Sequence, residues 1–235
     1  MTVMGGLAEI SSTILSQSAR SVEIYAQNVA NVTTPGYKRR IVFAQMLDRT
    51  GVGAPQLSGA GVDLSAGKLT QTGNPLDLAI SGEGYFEVRG PAQALMYTRQ
   101  GQFHRDDQGR LVTGAGLVLQ ADGGGDLDVG EGAIKVEVDG SVTLDGEPVG
   151  RVAIANLSAA AAADWIGGGF TAPAAAMTPA ERPELRQGFL EASNVSTGDE
   201  MVSIMAAMRR AESGQHLMLT YDDLMGRVLT AFGQA

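Results

Sequence analysis

Asp77, Glu83 and Asp106 are the side chains whose types could do chemistry here, because two carboxylates facing one bond suffice for acid–base hydrolysis. Nothing in their spacing makes them converge. With no cysteine in the chain, disulfides, thiolate metal sites and cysteine nucleophiles are excluded. The two histidines, His104 and His216, have no Gly-x-Ser-x-Gly nucleophile turn nearby and read as surface or packing residues. The run Asp122-Gly123-Gly124-Gly125-Asp126-Leu127-Asp128 is similar to a calcium loop, yet it lacks the alternating ligands and terminal glutamate of an EF-hand. It reads as a solvated acidic turn. Gly82-Glu83-Gly84 has neither the third glycine nor the following helix that a dinucleotide pyrophosphate needs. The sequence therefore predicts no catalytic residue, no cofactor and no metal ligand, with a carboxylate hydrolase on the central region as the competing reading.

Composition narrows the partners. The chain has 235 residues, 44% of them hydrophobic, and a mean hydropathy of +0.02, which marks a globular protein with room for a core. A net charge of −9 argues against nucleic acid or an anionic membrane as the main partner, and Lys38, Arg39 and Arg40 are too few to reverse that. No window approaches the length and apolarity of a membrane span, so no membrane insertion is expected. The first thirty residues show no basic stretch followed by an apolar one, so no cleaved secretory signal is visible.

The patterning predicts an α+β chain, with N- and C-terminal helices pairing as a coiled coil around a central region of short antiparallel strands. Its expected parts are 1–40 and 196–235 as the helical pair, 41–68 as a linker and 69–195 as the β-rich domain. In the first helix Leu7, Ile10, Ile14, Val22, Tyr25 and Val29 recur at spacings of three and four, with Ser18 in the gap. At the other end Met201, Ile204, Met208, Ala211, Met218, Met225, Leu229 and Phe232 keep the same period, interrupted near Gly214 and Gln215. Thr197 and Glu200 have capping-box spacing at its start.

Between the ends, Asp139-Gly140 and Asp145-Gly146 signal tight hairpins, and strands are expected at 76–80, 85–88, 95–99, 101–105, 110–113, 117–120, 134–138, 141–144 and 151–157. Ser158 to Trp165 is expected to form a short alanine-rich helix, and Gly167 to Arg186 a loop. Val42, Phe43, Met46 and Leu47 are expected to continue the packing beyond the first helix.

That helix is stopped by Asn28-Val29-Ala30-Asn31-Val32-Thr33-Thr34-Pro35-Gly36-Tyr37-Lys38. Pro35 lacks a backbone donor and pushes Thr34 to extended geometry, Gly36 permits positive φ, and Asn31 tolerates a left-handed terminus. Ordering costs about 1–2 kcal/mol per residue, while each large buried apolar side chain returns about 1.5–3 kcal/mol. Thin stripes on two helices are thus expected to order firmly only against several neighbours. The expected assembly surface comprises Leu7, Ile10, Ile14, Tyr25, Asn28, Asn31, Pro35, Gly36, Tyr37, Lys38, Met201, Ile204, Met208, Met218 and Met225.

Four ordered stretches carry a resemblance. Ala30 to Lys38 is similar to the helix-end signature of the bacterial flagellar axial family of rod and hook proteins. Leu76 to Val88, Tyr97 to Phe103 with Gly109 to Thr113, and Gly188 to Val195 resemble that family's β domain and its approach to the last helix. The resemblance implies a structural subunit, not an enzyme, placed in the periplasm-spanning rod of the basal body. Its implied partners are other copies of itself, other rod proteins and the flagellar type III export apparatus. It also implies an inner layer of terminal helices and an outer β layer, with the distal rod or the hook as alternative positions to the proximal rod.

Overall fold

The computed structural model describes residues 2–42, 60–157, 164–166, 168–180 and 183–233. They fall into two compact units, one drawn from 1–32, 38–64 and 195–235, the other from 33–37 and 65–194. Terminal helices and a central antiparallel β region make the chain α+β.

The first unit holds α1 (Thr2–Ala30) and α2 (Thr197–Gly233). They run antiparallel, since Asn28 meets Glu200 while Ile14 meets Gly214. Their buried positions are mostly small or polar: Ser11, Ser18, Ser21, Ile24 and Asn28 on α1, and Glu200, Ala207 and Gly214 on α2. A methyl group added at Gly214 would lie 3.0 Å from Ile14 Cγ2, so the helices approach closely there.

This seam differs from the expected apolar stripes. Ile10, Met201, Met208 and Met218 are exposed, whereas Ile14, Tyr25, Ile204 and Met225 are half-buried. The cause is geometric: small residues let the backbones meet along a narrow line, and long side chains splay to its flanks. Where the apolar period is interrupted near Gly214, α2 itself runs unbroken, and Gly214 is part of the close contact. At its start Glu200 N donates to Ser196 O at 3.0 Å, while the Glu200 carboxylate, expected in a capping box, turns to α1. After α1, β1 (Arg40–Val42) pairs antiparallel with β2 (Ala60–Val62), so part of the expected linker is a ribbon. Phe43, Met46 and Leu47 lie outside the described residues.

In the second unit a nine-stranded antiparallel sheet runs from Asp164–Ile166 through Gly169–Thr171, Leu95–Thr98, Tyr85–Arg89, Val118–Leu119 and Leu111–Thr113 to Phe103–Arg105, with Ile154–Leu157 and Met177–Pro179 branching from it. A three-stranded sheet, Ile134–Val136, Ser141–Leu144 and Glu147–Arg151, stands beside two ribbons that pair Leu78–Ile80 with Leu185–Gln187 and Leu69–Gln71 with Phe189–Glu191. Asp145 and Gly146, both at positive φ (50° and 93°), make the tight turn that the Asp-Gly pair signalled. The outer strand Glu147–Arg151 is exposed throughout; it carries Pro148 and faces a register shift between Val142 and Thr143.

The alanine-rich segment is not a helix at its described end. Asp164–Ile166 is a strand in register with Gly169–Thr171, and the following expected loop contains that strand and Met177–Pro179. Residues 158–163 lie outside the described ones. The main core gathers Phe86, Val88, Leu111, Leu119, Val129 and Val142, all fully buried, and Phe86 meets Phe103 edge to face at 5.5 Å. Phe86→Ala should therefore lower unfolding free energy by about 3–5 kcal/mol, read from urea denaturation followed by circular dichroism.

Candidate assembly site around the helix stop

In the first unit the end of α1 is tied by polar bonds. Asn31 Nδ2 donates to Gln27 O at 2.8 Å, closing the last turn. Asn28, fully buried, grips the returning chain twice: its Nδ2 donates to Arg40 O at 2.8 Å, and Arg40 N donates to its Oδ1 at 2.9 Å. The same Nδ2 donates to Glu200 Oε2 at 2.9 Å, and Arg39 Nε donates to Glu200 Oε1. Lys38, expected on the assembly surface, is 1% exposed. Buried charges of this kind need partners, which explains why cations, an amide and a carboxylate collect here.

In the second unit the stop motif itself is caged. Gly36 has φ +69°, its N–H donates to Glu191 O at 2.7 Å, and a methyl group on it would lie 2.3 Å from the Arg99 carbonyl carbon. Asn194 N donates to Tyr37 O at 3.4 Å, and Tyr37 and Pro35 are half-buried. Beneath them lies a buried ion pair. Arg99 Nη1 donates to Glu191 Oε2 at 3.1 Å, Arg99 Nη2 to Gly82 O at 2.6 Å, and Gly67 N to Glu191 Oε1 at 2.8 Å. Arg99 also lies over the Tyr85 ring, 5.2 Å from its centroid; burial pushes the Tyr85 phenol above its usual value, with Arg99 pulling the other way.

The stop motif's expected residues thus divide. Asn28, Asn31 and Lys38 belong to the first unit, and Pro35, Gly36 and Tyr37 to the second. The side chain of Leu7 is not described. Along α2, the exposed Met201, Val202, Met205, Met208, Leu217, Met218, Leu219 and Leu224 form long apolar faces off the buried seam. Sequence reasoning missed Arg99, Glu191 and the structural use of Glu200. Heptad-spaced small residues, Ser11 with Ser18 and Ala207 with Gly214, were the available sign of the seam.

Of the carboxylates weighed for hydrolysis, Asp77 and Asp106 have local employment. Asp77 is buried and accepts from Thr72 Oγ1 at 2.7 Å and Asn74 Nδ2 at 3.0 Å. Hydrogen bonding to Arg110 holds the Asp106 carboxyl below the usual range, which suits a turn staple. Glu83 borders an open surface depression with Ser81, Asn156 and Glu184. Asp126 of the acidic run pairs with Arg89 and Arg110. Among the described residues no cluster of three or more His, Asp or Glu could hold a metal.

Gly36→Ala should cost about 2–4 kcal/mol of stability, combining a left-handed backbone with a backbone clash. Gly73→Ala, at φ +74° with nothing within 4 Å, should cost only about 1 kcal/mol. Thermal and urea unfolding of the two variants side by side reads the difference.

Three family models match along the chain: "Flagella basal body rod protein" over 10–38, "Flagellar hook protein FlgE/F/G D1 domain" over 79–144 and "Flagellar basal body rod FlgEFG protein C-terminal" over 186–231. The flagellar basal-body rod protein FlgG of Caulobacter vibrioides is 31% identical over 242 aligned positions, covering 87% of this chain and 91% of that protein. The rod protein FlgF of the same organism is 31% identical over 216 positions, covering 85% and 86%. FlgF of Mesorhizobium japonicum is 31% identical over 208 positions, again covering 85% and 86%. The matched segments include the stop motif, the sheet and the helix whose geometry is described above. The chain belongs to the family of flagellar basal-body rod proteins.

Proposed function

We propose that the chain is a structural subunit of the flagellar basal-body rod, joining other copies and other rod proteins in a helical tube that transmits torque from motor to hook. The observation that carries this reading is the apolar surface of α2. Met201, Met205 and Met208 are 57%, 52% and 54% exposed, an arrangement that a solitary chain would leave wetted and neighbouring helices would cover. Flexible thioethers suit neighbours that are not identical. A head-to-tail interface that does not close generates an open helical array.

The spacing Ser11, Ile14, Ser18, Ser21, Tyr25, Asn28 against Glu200, Ile204, Ala207, Ala211, Gly214 follows alternating steps of three and four, which supports an antiparallel coiled coil in an inner layer. The β-rich part, expected over 69–195, then forms the outer layer. Ile10 and Met218 join the exposed apolar set, and Tyr37 or Asn31 contacts a neighbouring subunit. Passage through the type III export apparatus suits a chain without cysteine, which has no disulfide to undo before threading.

Within the family, the proximal, FlgF-type position is favoured by chain economy. Alignment with Caulobacter FlgG needs 242 positions for 87% of the chain, against 216 for 85% with FlgF, so FlgG sets more unmatched residues against it. The resemblance adds that the segment from Arg39 to Lys68 is short for a distal rod subunit.

Met208→Asp should leave a soluble chain with wild-type β-sheet circular dichroism and abolish swimming in soft agar. Unfolding of the β region, or normal motility, counts against the reading.

A further inference from the structure

Glu200 sits on the first turn of α2, fully buried, yet its partners belong to α1 and the chain beyond it. Asn28 Nδ2 donates to one carboxylate oxygen at 2.9 Å and Arg39 Nε to the other. Asn28 also brackets the backbone of Arg40, accepting from its N–H at 2.9 Å and donating to its carbonyl at 2.8 Å. Arg40 opens β1. Beside it, Asp63 N donates to Arg39 O at 2.8 Å at the end of β2. A continuous series of hydrogen bonds therefore runs from α2 through α1 into the β1–β2 ribbon.

That ribbon has little of its own to hold it. Among the described residues it shows three residue pairs, and Arg40, Ile41 and Val42 are only half-buried. A two-stranded ribbon is marginal in water without further packing. The carboxylate is the opposite case, since a buried charge stripped of its donors is strongly disfavoured. The two needs are met together or not at all.

We infer that Glu200, with Asn28 and Arg39, is a latch that makes the β1–β2 ribbon conditional on α2 lying against α1. When α2 docks, its carboxylate fixes Asn28 and Arg39, and these hold the returning strand; when α2 leaves, the strand is released. The device operates within one chain and does not depend on the assembly reading. Glu200 is a positioning residue, acting on the ribbon through Asn28.

The chain's lack of cysteine permits a direct test. A Cβ built on Gly214 lies 3.5 Å from Ile14 Cβ, at the near edge of the disulfide range, so Ile14→Cys with Gly214→Cys staples the helices when oxidised. In the purified, oxidised full-length chain, amide exchange is measured at Arg40 and Asp63, with Phe86 and Val88 as references. Expected is protection at Arg40 and Asp63 in the staple alone. Adding Glu200→Ala, or separately Asn28→Ala, should speed exchange there by about ten- to a hundredfold, with Phe86 and Val88 unchanged. Equal exchange with and without Glu200 in the stapled chain overturns the latch. So does absence of protection at Arg40 and Asp63 with Glu200 present, or faster exchange spread equally to Phe86 and Val88.

Discussion

Everything in the helical unit follows from how closely two backbones meet at Gly214 and Ile14. Serine, alanine and glycine at heptad steps bring α1 and α2 together along a line too narrow to cover long side chains. The helix pair therefore turns its methionines and leucines outward. A wider apolar seam would have buried those groups and left a self-sufficient hairpin. Close approach thus sets both the contact within the pair and the apolar surface that stays exposed.

A second constraint is the handling of charge in dry places. Glu191 and Glu200 are both essentially buried, and each collects donors from segments far away in sequence. Glu191 gathers Arg99 and Gly67, while its backbone carbonyl takes the N–H of Gly36. Such carboxylates add little net stability over an apolar pair, but they accept very few alternative geometries. Their value lies in fixing which segments meet.

Sequence reading succeeded where chemistry is local. Pro35 and Gly36 announce a stop by their backbone restrictions alone, and Asp145-Gly146 announces its turn in the same way. It faltered where the outcome is decided by distant partners. Apolar periodicity on α1 pointed to Ile10 and Ile14, but the face that is covered was chosen by small residues on the opposite helix. Trp165 reads from sequence as the end of a short helix, and its pairing with Phe170 in the strand Gly169–Thr171 decides otherwise. The Glu200 carboxylate fits a cap by spacing and an inward hydrogen bond by geometry, a distinction that only the position of Asn28 resolves. The stop motif was legible as an interruption, whereas the Arg99 and Glu191 cage around it was invisible, because those residues are 92 positions apart.

The outer strand Glu147–Arg151 bears on a different hazard. Copies crowded side by side bring sheet edges within reach of one another, and a straight, fully hydrogen-bonding edge would zip to its neighbour without limit. Pro148 removes a donor from that edge, and the shift at Val142 and Thr143 bends it. The edge Glu147–Arg151 is thereby a poor template for a further strand, and the three-stranded sheet ends there by design of its own backbone.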